Sequence, residues 1–351
     1  MGWLDRLVRR QPASGMPGGR DAVSGNEESG SRAGPLRLAW AATNKQVTFA
    51  NLGDAISPLI VSMVAGGRPV VHAHFRENGE RLAAIGTIGH ALAGGALHIW
   101  GAGSDRKLWP RDEAGQLTRP EGDIRVYATR GPMTRSLMLE AGIGDIPPVY
   151  GDPALLLPLL FDLKREPEYD LGIIPHFTEL DGIGPQAHPL ADNVRYGIPP
   201  EFQGRVRLLT TWTEPTPTAL FDRMTEILSC RRIISRSLHG IVIAEAFGIP
   251  TIAMAAKGRG ATACDLRGEG HGVDHRFVDY FLGTDRPDVT VYARRTSQAT
   301  DWHDVMAAID RFARPLEYDA KPLLDAFPWR AGPVGPLPVA ALPRSIWEIR
   351  L

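Results

Sequence analysis

The chain has 351 residues, 43% of them apolar, and a formal net charge of −1. That length is comfortable for two domains with cores of their own, and the balanced charge speaks against general affinity for nucleic acid or an anionic bilayer. The two cysteines, Cys230 and Cys264, make no zinc or disulfide pattern, which fits a reducing compartment.

Among the 39 basic residues only Lys45, Lys107, Lys164, Lys257 and Lys321 are lysines. The rest are arginines, whose forked donors suit carboxylates and phosphates. No apolar run reaches the length of a membrane span. The start, "MGWLDRLVRRQ", lacks the apolar core and cleavage site of a secretory signal. Trp3, Leu4 and Leu7 opposite Arg6, Arg9 and Arg10 could form one weak amphipathic turn. The reading is a cytoplasmic protein with at most peripheral contact at the inner face of the membrane.

Residues 1–35 are small, polar and aperiodic and are expected to be disordered. Order begins at "LRLAW". "RPVVHAHF" predicts a strand, "RLAAIGTIGHALAGG" a helix, and "ALHIWGAG" a strand ending in glycines. "IRVYATRGPMTRSLMLEAGI" predicts strand, turn and helix, with Gly142 as the stop. A charged stretch, "FDLKREPEYD", suggests a boundary, and "LGIIPHF" opens a second set. That set continues with "VRLLT", a helix from Pro217 to Ser229, "RRIIS", a buried helix in "LHGIVIAEAFG", and "PTIAM". Asp301 to Phe312 and Lys321 to Phe327 also predict helices. Alternation of this kind implies parallel sheets covered by helices. The expected fold is α/β, with domains at 36–165 and 166–330 facing a cleft and a proline-rich tail at 331–351.

Chemistry-bearing residues collect where strands give way to helices. In "SRSLHGIVIAEAFGIP", Ser237 is a plausible N-cap, and His239 and Gly240 stand in the first turn with Arg236 just before it. A helix N-terminus at the carboxyl edge of a parallel sheet suits an anion. "NLGDAISPLIV" sets Asn51, Gly53 and Asp54 at another helix start, Asp54 being either a dipole complement or a base. "IWGAGS" brings Gly101 and Gly103 close to a ligand or to a neighbouring element. "TRGPMTR" places Arg130 before a Gly-Pro helix start, and "YGDPALLLP" repeats the design with Gly151, Asp152 and Pro153. "IIPHF" ends a strand at His176. "GEGHGVDH", with His271, Asp274 and His275, reads as a mobile loop closing over the cleft. No spacing suggests a metal site.

The ordered series "NLGDAI", "IGTIGHAL", "IWGAGS", "TRGPMTR", "YGDPALLLP", "IIPHF" and "SRSLHGIVIAEAFGIP" resembles the polysaccharide pyruvyl transferase family. It is most similar to the ketal-forming enzymes of bacterial exopolysaccharide synthesis, such as those of succinoglycan. The resemblance covers about Leu36 to Met254, and more weakly to Phe327. It implies two Rossmann-like domains in a GT-B-like pair, phosphoenolpyruvate as co-substrate, no cofactor, and a sugar acceptor, free or lipid-linked. The family's helix-start histidine falls on His239. Many members have an arginine immediately before the Leu-His pair; here that place is Ser237, and the arginine stands one position earlier at Arg236. The expected roles are His239 as proton donor or phosphate contact, Asp54 or His176 as base, and Arg236 and Arg130 as donor-anion ligands, with Ser237, Gly240, Gly53, Gly101 and Gly103 around the donor. Two rival readings share the fold: a glycosyltransferase using a nucleotide sugar, for which Glu245 is a poorly placed ribose ligand, and a non-catalytic glycan-binding protein.

Overall fold

The structure is a computed structural model that describes residues 34–256 and 258–351. The amphipathic start and nearly all of the segment expected to be disordered lie outside these residues.

Two sheets dominate. The first contains β1 (Leu36–Ala39), β3 (Val70–Ala73), β4 (Glu80–Ala83), β5 (Ala96–Trp100) and β6 (Asp123–Ala128), all parallel, in the order β3-β1-β4-β5-β6. The second contains β7 (Leu171–Ile174), β8 (Val206–Leu208), β10 (Ile233–Ser235), β11 (Thr251–Ala255), β12 (Gly260–Asp265) and β13 (Asp288–Ala293). Its order is β12-β13-β11-β10-β7-β8, parallel except for the edge strand β12. In both sheets the first strand is flanked by the second and the third of its own series. The chain therefore reverses direction beside β1 and again beside β7. Ligands of open parallel sheets bind at the carboxyl ends of strands at such reversals.

A two-stranded antiparallel ribbon joins the halves. β2 (Ala50–Asn51) pairs with β9 (Trp212–Thr213), and Leu52 N–H donates to the Thr211 carbonyl at 2.8 Å. The short helix Leu52–Ala55 starts directly from this ribbon.

Neighbouring strand residues face opposite layers, as the pleat requires. Ala39, Ala83 and Ile99 pack under the helix Pro132–Glu140, and Ile173 and Ile234 under the helix Trp302–Phe312. Their neighbours Leu38, Leu82, Trp100, Ile174 and Ile233 enter one apolar cluster shared by both sheets. The helices Ser57–Val64, Pro217–Leu228 and Leu238–Ala246 fill that layer, together with the turn and helix at Pro153–Leu160.

One expectation is corrected. "RLAAIGTIGHALAGG" is not a helix: it supplies β4 and then a loop with one short 3-10 turn, Gly89–Ala91. Leu82 to Ile85 are buried without a helical stripe because β4 is central and covered on both faces. The proline-rich tail packs onto the body of the molecule. Leu337 pairs through its backbone with Leu160 and Asp162, at 3.1 and 2.9 Å. Leu342, Ile346, Ile349 and Leu351 are buried in the shared layer.

Candidate functional site

The carboxyl ends of β7 and β10 meet the helix Leu52–Ala55 across a cavity of about 150 Å³. Asn51, Asp54, His176, Ser237, His239 and Arg276 supply its polar lining. They arrive from four turns, and local sequence explains most of the placements. Asn51 caps its helix by accepting from Gly53 N–H at 3.3 Å. Ser237 holds the N-cap position of the nine-residue helix Leu238–Ala246 but makes no side-chain capping bond. Its hydroxyl and the first-turn N–H groups, which lack intrahelical partners, are thus left to the cavity. Gly240 lies so close to Ser235 and Ile174 that a methyl there would overlap the Ser235 hydroxyl, so it seats the helix on the sheet rather than touching a ligand.

His239 is wedged between the halves. A methyl on Gly53 would overlap its ring, and its Nε2 lies 3.6 Å from the buried Asp152 Oδ2. Gly53 therefore makes room for His239 and is not itself a ligand contact. Asp54 opens to the cavity and is only partly exposed. Burial pushes its carboxyl from the ordinary 3.8 up to about 6, against the opposing pull of His239 and Arg276.

His176 follows β7. Burial, and then the charge of Arg276, lowers its ring to about 4, so it is neutral near pH 7. Arg276 Nη1 stands 3.1 Å from its Nε2. A guanidinium can only donate, so Nε2 carries the lone pair and the ring proton sits on Nδ1, 2.7 Å from Thr178 Oγ1. With the proton on Nδ1, that nitrogen cannot also accept from Thr178 N–H, and their 3.4 Å approach is not a hydrogen bond. His176 orients Arg276, and its free lone pair is taken.

The two arginines expected to hold the donor point elsewhere. Arg236 turns toward Glu179 (3.5 Å) and the Met254 carbonyl (3.3 Å), as its offset from Leu238 and His239 would have it. Glu179 already accepts from Arg195 and from Tyr196 Oη at 2.6 Å, so Arg236 joins a structural cluster. Arg130 is buried against Asp279 at 3.2 Å and bonds Thr87 Oγ1 at 2.8 Å. It reaches the cavity only through Thr87, which lines it. Gly103 is where the Arg130 guanidinium packs, and Gly101, at φ +87°, turns the chain against Pro153. Both glycines serve neighbouring protein groups.

Arg276 was missed in sequence. The loop read from "GEGHGVDH" ends in a helix, His275–Gly283, whose first turn aims Arg276 at the cavity. Asp274 caps that helix and grips the Arg276 guanidinium through both carboxylate oxygens at 2.9 Å. Burial alone would raise Asp274, but the Arg276 contacts outweigh it and hold the carboxyl well below its usual range. The Asp-His-Arg order, an N-cap followed by a cation, was the available signal. Among the described residues, no group of three or more His, Cys, Asp or Glu side chains could hold a metal ion.

Residues 101–258 match the family model described as polysaccharide pyruvyl transferase. The match takes in Arg130, Asp152, His176 and Ser237 to Gly240, and the family likeness read from the motifs holds there. Asn51 and Asp54 precede the matched region and Arg276 follows it, yet all three line the same cavity. A curated relative, an uncharacterized protein of Acanthamoeba polyphaga mimivirus, is 28% identical over 144 residues, 40% of this chain and 45% of the relative. The chain thus spans less than half the length of that relative. No solved structure matches the chain. Among the described residues no helix is long and apolar enough to cross a membrane.

Proposed function

We propose that this protein transfers pyruvate from phosphoenolpyruvate to two hydroxyls of a sugar residue, forming a ketal and releasing phosphate. The acceptor is an exopolysaccharide unit or its lipid-linked precursor, and the two sheets are read as Rossmann-like halves of a GT-B-like pair. One observation carries the reading: His239, Asp54, Arg276 and the N-terminus of Leu238–Ala246 converge on one small cavity at the strand ends of the pyruvyl transferase region.

The reaction needs a proton on the donor's methylene carbon, which becomes methyl while the adjacent carbon gains oxocarbenium character. One sugar hydroxyl adds to that carbon and loses its proton. The carbon–oxygen bond to phosphate then breaks, and the second hydroxyl closes the ketal as its proton passes to the departing phosphate. His239 supplies the first proton, a role worth roughly 10²–10⁴-fold in rate. Asp54 takes the hydroxyl proton, since the His176 lone pair is already engaged. Arg276 and the helix N–H groups receive the donor's anionic ends. A groove of about 840 Å³, between Asp105–Arg111, the start of Pro132–Glu140 and Val273–His275, is lined by the sequence neighbours of the cavity residues Leu108 and Arg276, and we read it as the acceptor's place.

The nucleotide-sugar alternative is disfavoured by two observations. The cavity is small, and the Glu245 carboxylate is committed to Arg286 at 2.7 and 2.8 Å and to Tyr280 Oη at 2.6 Å. The test is release of phosphate from phosphoenolpyruvate that depends on an acceptor glycan, read together with thermal shift against phosphoenolpyruvate and UDP. His239→Ala should lower turnover at least a hundredfold with the fold intact. Stabilisation by UDP alone, or near-normal turnover of that variant, would overturn the assignment.

A further inference from the structure

The family assignment gives no role to Asp152. Its carboxylate is almost wholly buried. One oxygen, Oδ1, accepts from Ala154 N–H at 3.0 Å and so caps the turn Pro153–Leu156. The other, Oδ2, has no hydrogen-bond donor. What faces it is His239 Nε2 at 3.6 Å, which is equally without a partner. A buried carboxylate oxygen left unpaired is costly. The remaining charged and titratable groups around the pair are Asp54 on the Leu52–Ala55 helix, Arg276 beyond it, and the hydroxyls of Tyr280 and Tyr318. Tyr280 Oη is spent on Glu245 and Tyr318 Oη on the Tyr150 carbonyl, at 2.6 and 2.7 Å. Arg276 is held by Asp274. This leaves the imidazole as the donor that Asp152 Oδ2 is built to meet. Such contacts are often long in an unliganded site and tighten with substrate.

We infer that Asp152 is the positioning residue of His239, holding its ring in the tautomer that carries the proton on Nε2. The other nitrogen, Nδ1, lies over Gly53, one residue before Asp54. It is then the ring atom free to take up and deliver a proton. This rests on the reading of His239 as the proton-handling group. Asp152 touches no substrate; it acts by fixing which nitrogen works and by stabilising the ring when both nitrogens are protonated. The logic is that of the buried aspartate behind the histidine of serine proteases, where Asp→Asn leaves the geometry in place but reverses the tautomer, at a cost of ~10⁴ in kcat.

The test is ring ¹⁵N NMR on the free protein labelled at histidine, with the His239 signals assigned by their loss in His239→Gln. In the neutral ring, Nε2 should be protonated and Nδ1 bare. Asp152→Asn keeps the oxygen that caps Ala154 but offers an N–H to Nε2, so the tautomer should reverse. Asp152→Ser keeps a capping oxygen with nothing to face the ring, and should leave a mixture. In turnover, Asp152→Asn should lower kcat about a hundredfold or more while KM for phosphoenolpyruvate moves less than about threefold. A wild-type ring protonated on Nδ1, or one unchanged in both variants, would overturn the inference. The NMR arm needs no substrate. A wild-type protein that ignores phosphoenolpyruvate would therefore sink the functional reading without touching this one.

Discussion

At the scale of single residues, Asp54 joins site and stability. Its folded carboxyl is raised from 3.8 to about 6 by burial, so the native state binds a proton more tightly than the unfolded chain does. Stability contributed by this group is therefore greatest at low pH. It falls as pH rises from about 4 to about 6, and the penalty is complete above that. Asp54→Asn should stabilise the protein at pH 7.5 by roughly 1–3 kcal/mol, leave its melting temperature near pH 4 almost unchanged, and abolish transfer. Thermal melts at both pH values check this; equal shifts at both would contradict the assignment. If Asp54 is the base, the rate should also fall as pH drops through about 6. His239, Asp54 and Ser237 were legible in sequence because a helix start announces where a side chain stands. The directions of Arg236 and Arg130 were not legible, because distant partners decide them, Glu179 for one and Asp279 for the other.

Among the elements, the glycine-bearing turns turned out to be devices for close approach within the protein. Gly53 is the most telling, since its missing side chain is the space that His239 occupies. Gly53→Ala should push the ring aside and cut kcat tenfold or more, with a stability loss of only about 1–2 kcal/mol because a side chain at the cavity rim can yield. Gly240→Ala meets the buried Ser235 hydroxyl and Ile174 instead, and should cost more in stability than in the chemistry of molecules that remain folded. Urea melts beside single-turnover rates separate the two outcomes. Most strands and helices were readable from local pattern. β4 was not, because its apolar run is continuous, and a strand covered on both faces shows no alternation to distinguish it from a buried helix. The helix His275–Gly283 was hidden behind glycines that suggested only a loop.

For the molecule as a whole, the two sheets share one apolar layer besides the cluster that each has on its other face. Three further ties cross between them: the ribbon of β2 with β9, the buried Arg130–Asp279 pair, and the C-terminal segment. That segment brings Leu323 to accept from Trp100 Nε1 at 2.7 Å, and then inserts Ile346 beside helices of both halves. Ile346→Ala, at a fully buried position, should cost about 2–5 kcal/mol. The loss should appear as a shift of one cooperative urea transition seen by probes in both halves. Two separate transitions would show that the halves fold independently. A cavity split between the sheets gains from this, because side chains contributed by both keep their spacing.

The sequence by itself determined the α/β alternation, the positions of the helix starts and the residue types that stand there, since these follow from local periodicity, capping and turn chemistry. Tertiary structure alone decided which of those side chains share a cavity. Arg276 enters it from beyond the matched region, and Arg236 and Arg130 turn away from it. The physical reason is that hydrogen-bond partners and close backbone contacts far apart in sequence set a side chain's direction, and local pattern carries no record of them.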